Sequence, residues 1–330
     1  MVGFKYAIYC LDNNLDAFCS AAIIARLAKL RGYGYKLGFL NYATVEEDFK
    51  EVSNLDKYLI FILDYSPEQI PNLANKLVSV NRSNKLFYWN SHHPFSSSVL
   101  ESLQKHVKMV DLAGLKREVG QLKLVQENKL CSADLSFEKF LKNDPVAREL
   151  SKIAHDSEFW LRKDERSKKL NDMIASGYDK KKLIETLAKG IFWSDTLEKL
   201  RKEYIVKKEI AYQKIMKRLV VKDYVRKKFG YTFSPSILST SDAGNHVLEN
   251  SEVDVSVVLY KDGRISFRRK DFCDIDLTKV AELFGGGGHN YAAGGRLVLG
   301  QDVPMTNLSV NDFDRIVFSL ERKIRGFFGI

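Results

Sequence analysis

Three short stretches near the N-terminus carry side chains able to hold a cation. The first is Cys10-Leu-Asp12-Asn-Asn14-Leu-Asp16, set between an apolar run and an alanine-rich helical pattern. Asp12, Asn14 and Asp16 alternate, so an extended backbone points all three to one side. Oxygen ligands gathered at the end of a strand suit a hard divalent cation. The same residues also read as a capped helix start, because Asp and Asn bond their own backbone in turns. Spacing leaves both readings open. Asp64 closes the apolar run Tyr58-Leu-Ile-Phe-Ile-Leu, and Ser91-His92-His93 follows the strand-like Lys85-Leu-Phe-Tyr-Trp-Asn90. Near the C-terminus, Gly285-Gly-Gly-Gly-His289-Asn-Tyr-Ala-Ala-Gly-Gly295 offers backbone N–H groups to an anion, and a following helix start adds favourable field. The alternative is a flexible loop; the single His and the small residues after it favour the anion site. Arg268 and Arg269 alternate on a strand, so only one can face a cleft.

These residues need elements to position them. The first half alternates strand-like and helix-like segments, which implies a parallel sheet covered by helices on both faces. In such sheets ligands bind beyond the carboxyl ends of the strands, and Asp16, Asp64 and His92 all fall just past an expected strand end. From Ser132 the pattern turns helical, with one segment from Pro145 to about Arg162 that carries His155 and Asp156. Residues 165–230 read as helical and Lys-rich, including a long helix that joins two domains. After Tyr231, Val253–Tyr260 and Arg264–Arg269 read as a hairpin around Gly263. A short helix to Phe284, the glycine run, a last strand over 296–300 and a C-terminal helix follow. The expected fold class is α/β: a doubly wound parallel-sheet domain over 1–185, a helical connector over 186–232, and a smaller α/β domain with a mixed sheet over 233–330.

With 330 residues, 45% hydrophobic, the chain can bury two cores. Lys plus Arg is 52 against 42 for Asp plus Glu, a net +10 that favours a polyanionic partner, nucleic acid first. No run is long and apolar enough to cross a bilayer, and the N-terminus lacks a secretory pattern, so a soluble cytoplasmic protein without membrane contact is expected. Cys10, Cys19, Cys131 and Cys273 are scattered without paired-ligand spacing and read as buried reduced thiols. Trp160 and Trp193 read as core residues.

The motifs together resemble the DHH phosphoesterases, over nearly the whole chain. Gly286-Gly-Gly-His289-Asn-Tyr-Ala-Ala-Gly294 matches that family's GGGH-x-x-A-A-G loop in full. Cys10-x-Asp12-x-Asn14-x-Asp16-Ala-x-x-Ser20 is similar to the first motif of the RecJ-like branch, H-x-D-x-D-x-D, with two changes. Asp64 resembles the second motif, Ser91-His92-His93 stands where Asp-His-His is expected, and Asp156 resembles the fourth. The resemblance implies two Mn²⁺ or Mg²⁺ ions bridged by Asp64. One ion takes Asp16, His92 and Asp156, all present. The other takes Cys10 and Asn14, where the family has His and Asp, so it has lost an imidazole and a carboxylate. Ser91 replaces an orienting Asp. Thiol and amide are poor ligands for hard cations, and losing an orienting carboxylate costs about 10–100-fold in affinity or activity.

Two functions follow from the resemblance. One is a non-catalytic RecJ-like replication factor that joins GINS and the MCM helicase and touches single-stranded DNA. The other is a working Mn²⁺-dependent single-strand exonuclease or short-oligonucleotide phosphodiesterase. In it Asp12 replaces Asn14 as a ligand, His93 contacts the scissile phosphate, and His289 with Arg268 or Arg269 holds the strand. The degraded half-site favours the first, with at most one well-held ion.

Overall fold

Strands β1 (Lys5–Leu11), β2 (Tyr35–Leu40), β3 (Tyr58–Leu63), β4 (Lys85–Phe95) and β5 (Met109–Leu115) form a wholly parallel sheet in the order β2-β1-β3-β4-β5. The computed structural model describes residues 5–115, 130–235, 237–299, 303–304 and 310–329. Side chains alternate between two buried layers, which is why a run such as Tyr58–Leu63 is apolar throughout. Tyr6, Ile8, Cys10, Phe61 and Leu63 face one core. Ala7, Tyr9, Ile60, Ile62 and Trp89 face the other.

Helix α1 (Leu15–Leu30) lies in the first core and is buried on nearly every side. Its alanines let neighbouring helices approach closely, and a helix apolar all round must be interior. Around it stand α5 (Ser132–Phe140), α6 (Pro145–Glu158), α7 (Glu165–Ala175) and α8 (Lys180–Ala188). The opposite face is covered by α2 (Val45–Ser53), α3 (Leu73–Val80) and α4 (Ser97–His106). Strand order and cover match the expected doubly wound α/β class.

The chain divides into two compact units, Met1–Arg201 and Lys202–Ile330. The second holds a mixed six-stranded sheet, β10-β11-β9-β8-β7-β6, in which only β7 and β8 run parallel. Its strands are β6 (Val220–Tyr224), β7 (Lys227–Ser234), β8 (Val255–Tyr260), β9 (Arg264–Arg269), β10 (Gly287–His289) and β11 (Ala292–Arg296). Helix α10 (Thr240–Glu249) and the end of α9 (Asp195–Lys217) pack on one face. Helices α11 (Leu277–Glu282) and α12 (Phe313–Phe328) pack on the other.

Residues 165–230 depart from the helical expectation. Gly177 and Gly190 take left-handed backbone, ending α7 and α8 and splitting the span into separate helices. Beyond α9, β6 and β7 form a hairpin whose turn residues, Val225 and Arg226, both have positive φ. Such turns normally use Asn or Gly, and their absence hid the hairpin. The strand expected over 296–300 is also different: Arg296 ends β11, a short strand covers Val298–Leu299, and Gly300 lies outside the described residues.

Candidate metal centre

Asp16, Asp64 and His92 converge at the carboxyl ends of β1, β3 and β4. Asp64 follows β3 directly and holds φ at +52°, a left-handed conformation that is costly for a residue with a Cβ. Asn90 fixes this turn: its Oδ1 accepts the Asp64 N–H at 3.0 Å. Its Nδ2 donates to the Ser132 carbonyl at 2.8 Å and to Ser136 Oγ at 2.9 Å. One buried amide thus ties β3, β4 and the start of α5 together. His92 Nδ1 lies 3.1 Å from Asp64 Oδ1 and 3.4 Å from Asp16 Oδ2, while Nε2 lies 3.0 Å from Glu158 Oε1. These are ion-pair distances, but neither ring nitrogen has hydrogen-bond geometry to its neighbours. Asp64 Oδ2 is buried with no hydrogen-bond partner among the described residues.

The electrostatics follow from burial and crowding. Burial, then the Asp16 carboxylate, pushes Asp64 up to about 7. Burial opposes charge on His92, yet Asp16, Asp64 and Glu158 outweigh it and hold the imidazole well above its ordinary value. Burial likewise opposes charge on Glu158, and contact with His92 outweighs it, drawing Glu158 down to about 2. Both shifts run toward a charged imidazole beside a charged Glu158 carboxylate.

The first motif is spread over different structures. Asp12 and Asn13 form a turn, Asn14 is the N-cap of α1 and Asp16 already lies in its first turn, so no extended segment presents all three together. Asn14 Oδ1 accepts the Asp16 N–H at 2.8 Å, which is the capped-helix reading for that residue. Asp16 is fully buried, and its two oxygens accept the backbone N–H groups of Ser132 and Ala133, each at 2.7 Å. Asp12 Oδ2 meets Lys180 Nζ and Asn41 Nδ2, both at 3.2 Å. Cys10 is buried, and burial followed by Asp64 and Asp12 raises its thiol far from ionisation. Ser91 is buried, with Oγ accepting the His93 N–H at 3.2 Å.

Asp156 does not join the cluster. Its Oδ1 accepts the N–H groups of Lys163 and Asp164 at 2.7 and 3.1 Å, and its Oδ2 accepts the Ser167 hydroxyl at 2.5 Å. Two residues on a helix are turned about 200° apart, so Glu158 reaches His92 while Asp156 organises the loop after α6. That period was available in the sequence and identifies Glu158 as the alternative. Ser132, whose hydroxyl donates to Asp64 Oδ1 at 2.9 Å, and Lys180 were not identifiable, because their contacts span more than 60 residues. His155 pairs with Asp134 at 2.7 Å. Trp160 is exposed, with Arg162 over its ring, and is not a core residue.

The residues fit one divalent ion. Of the three groupings among the described residues whose ligand atoms lie within 4.8 Å of one another, two are here: Asp16, His92 and Glu158, and Asp64, His92 and His93; the third is Cys131, Asp134 and His155. The nitrogen and oxygen donors of the first two, with the orphaned Asp64 Oδ2, suit Mn²⁺ or Mg²⁺. Cys10, Asp12 and Asn14 do not make a second such set.

In the second unit the glycine run is an edge hairpin and opens no helix. Gly287, Gly288 and His289 pair with Gly294, Ala293 and Ala292, and β11 then pairs with β9. A Cβ on Gly286 would lie 1.9 Å from the Gly294 carbonyl oxygen, so backbone approach accounts for glycine there. His289 and Tyr291 are exposed and stack with centroids 5.3 Å apart. Both arginines already donate to neighbouring oxygens. Arg268 donates to the Phe267 carbonyl and Ser241 Oγ, and burial lowers its pKa. Arg269 donates to the carbonyls of Asn290, Lys270, Asp271 and Cys273.

The fold is similar to that of solved RecJ exonucleases. Manganese-bound RecJ from Thermus thermophilus superposes with a TM-score of 0.60 at 13% identity, covering 99% of this chain and 52% of that one. The chain thus spans about half that protein's length. A second manganese-bound exonuclease RecJ gives 0.60 at 12% identity, covering 99% and 90%. An exopolyphosphatase-related protein from Bacteroides fragilis gives 0.51 at 12%, covering 99% and 94%. No protein-family profile and no curated protein matches the sequence.

Proposed function

We propose that this chain is a RecJ-like member of the DHH phosphoesterase superfamily whose two-metal site is degenerate, and that it serves as a replication factor contacting single-stranded DNA. One observation carries the reading: the first-motif polar side chains are tied into the protein, and Cys10 and Asp12 join no ligand grouping among the described residues. Asp12 meets a lysine, Asn14 caps a helix, and Asp16 accepts two backbone N–H groups. Two-metal hydrolysis needs a second ligand set beside the one that Asp16, Asp64 and His92 belong to.

The remaining half holds at most one Mn²⁺ or Mg²⁺, through His92 with Asp16 and Glu158, or with Asp64 and His93. Such an ion supplies Lewis acidity toward a phosphate oxygen. The chain's own residues do the rest: Asn90 and Ser132 hold Asp64 in place, and Glu158 orients the imidazole of His92. The net charge of +10 supports a polyanionic partner, and the edge hairpin with its exposed His289 and Tyr291 offers a phosphate and base contact. Association with GINS and MCM belongs to the same reading and rests on the resemblance alone.

The test is a nuclease assay with fresh Mn²⁺ on labelled single-stranded DNA, RNA and dinucleotides, comparing wild type with Asp64→Ala. Wild-type activity at the variant's background is the expected result. Metal-dependent cleavage abolished by the substitution would overturn the reading in favour of a working phosphodiesterase. A pull-down against GINS and MCM then tests the partners.

A further inference from the structure

We infer that Lys180 is a built-in counter-cation: its ammonium neutralises the degraded half of the site and holds the β1–α1 turn in place of a second metal ion. The contact is tertiary, joining residues 168 positions apart, and brings the first residue of α8 to the turn after β1. Lys180 Nζ lies 3.2 Å from Asp12 Oδ2, and the same oxygen accepts from Asn41. The ammonium also lies 5.4 Å from the centroid of the Phe39 ring, which favours a cation at that point. A lysine in the first turn of a helix opposes the helix dipole. Its placement there is accounted for by the acid it reaches.

The surroundings hold unpartnered carboxyl oxygens. Asp12 Oδ1 and Asp64 Oδ2 are both buried without hydrogen-bond partners among the described residues. An ammonium offers three donors and no coordination preference. It can hold one carboxylate, but it lacks the divalent charge and open coordination positions that hydrolysis draws on. The turn thereby keeps its shape with no ion in that half.

This inference rests on reading the site as a degraded two-ion centre, and its test is independent of activity. Mn²⁺ uptake by the full chain is counted from the electron paramagnetic resonance signal of free Mn²⁺. Wild type is compared with Lys180→Met, which keeps the stem over Phe39 and removes the charge, and with Lys180→Arg, which keeps the charge. Lys180→Met is expected to take up one equivalent more than wild type, and Lys180→Arg the same number. Equal uptake by wild type and a folded Lys180→Met overturns the inference, as does uptake of two ions by wild type. Where Lys180→Met does not fold, Lys180→Gln takes its place in the same comparison. A wild type that cleaves DNA while Lys180→Met gains an ion would sink the proposed function and leave this assignment standing.

Discussion

Asp16 separates a carboxylate built into the fold from one that waits for a metal. Its two oxygens accept the N–H groups of Ser132 and Ala133 at 2.7 Å each, and the residue is fully buried. Asp16→Ala leaves both donors of the α5 N-terminus unsatisfied in a dry interior. Hydrogen bonds to a charged group are worth about 1.5–3 kcal/mol each, so the pair amounts to roughly 3–6 kcal/mol. For a unit of this size each kcal/mol corresponds to about 2–4 °C, giving a fall of about 6–24 °C. All three tryptophans, Trp89, Trp160 and Trp193, lie in the first unit, so their fluorescence reports its melting alone. The measurement is made in chelator, and Asp16→Asn, which keeps one acceptor, is expected to lose less. A carboxylate held only for a metal behaves the opposite way, since removing it without the ion relieves repulsion. An Asp16→Ala variant that melts with or above wild type in chelator would refute the argument.

Asp64 supplies a pH dependence. Its folded carboxyl titrates near 7, above the unfolded value, so the folded state holds the extra proton; this contribution is present below about pH 4 and lost as pH rises through about 7. Asp64→Asn in chelator is expected to flatten that window and raise stability at pH 8 by on the order of 1–4 kcal/mol, read by urea denaturation; unchanged pH dependence would count against it. Glu158→Gln removes one of the carboxylates that keep His92 protonated, so the His92 titration followed by NMR is expected to move down, and no movement would separate the two residues. Asn90→Leu strips four hydrogen bonds that join β4 to β3, α1 and α5 and is expected to cost about 2–4 kcal/mol, measured by the same denaturation. In the second unit, Gly286→Ala is expected to open the β10–β11 pairing. Gly287→Ala, whose Cβ meets nothing within 4 Å, is expected to be tolerated. Equal hydrogen exchange in the two variants would contradict the close backbone approach.

The sequence alone determined the layered α/β order, because runs such as Tyr58–Leu63 can be satisfied only with both faces buried. It also located Asp16 and Asp64 beyond strand ends, since strand ends are marked by where the apolar pattern stops, whereas His92 lies within β4, which runs on to Phe95 past its apolar residues. Tertiary structure decided what those acids touch. Asp16 is claimed by N–H groups 116 and 117 residues away, and Asp12 by Lys180, one lysine in a run of three that local pattern cannot rank. Between Asp156 and Glu158 the helix phase chooses, and it is set by how α6 packs against α1. The glycine run matched a motif in full, yet its shape depended on the pairing of β11 with β9, which no local rule encodes. Local chemistry names the groups able to hold a cation; only long-range contacts show which of them the protein has already satisfied from within.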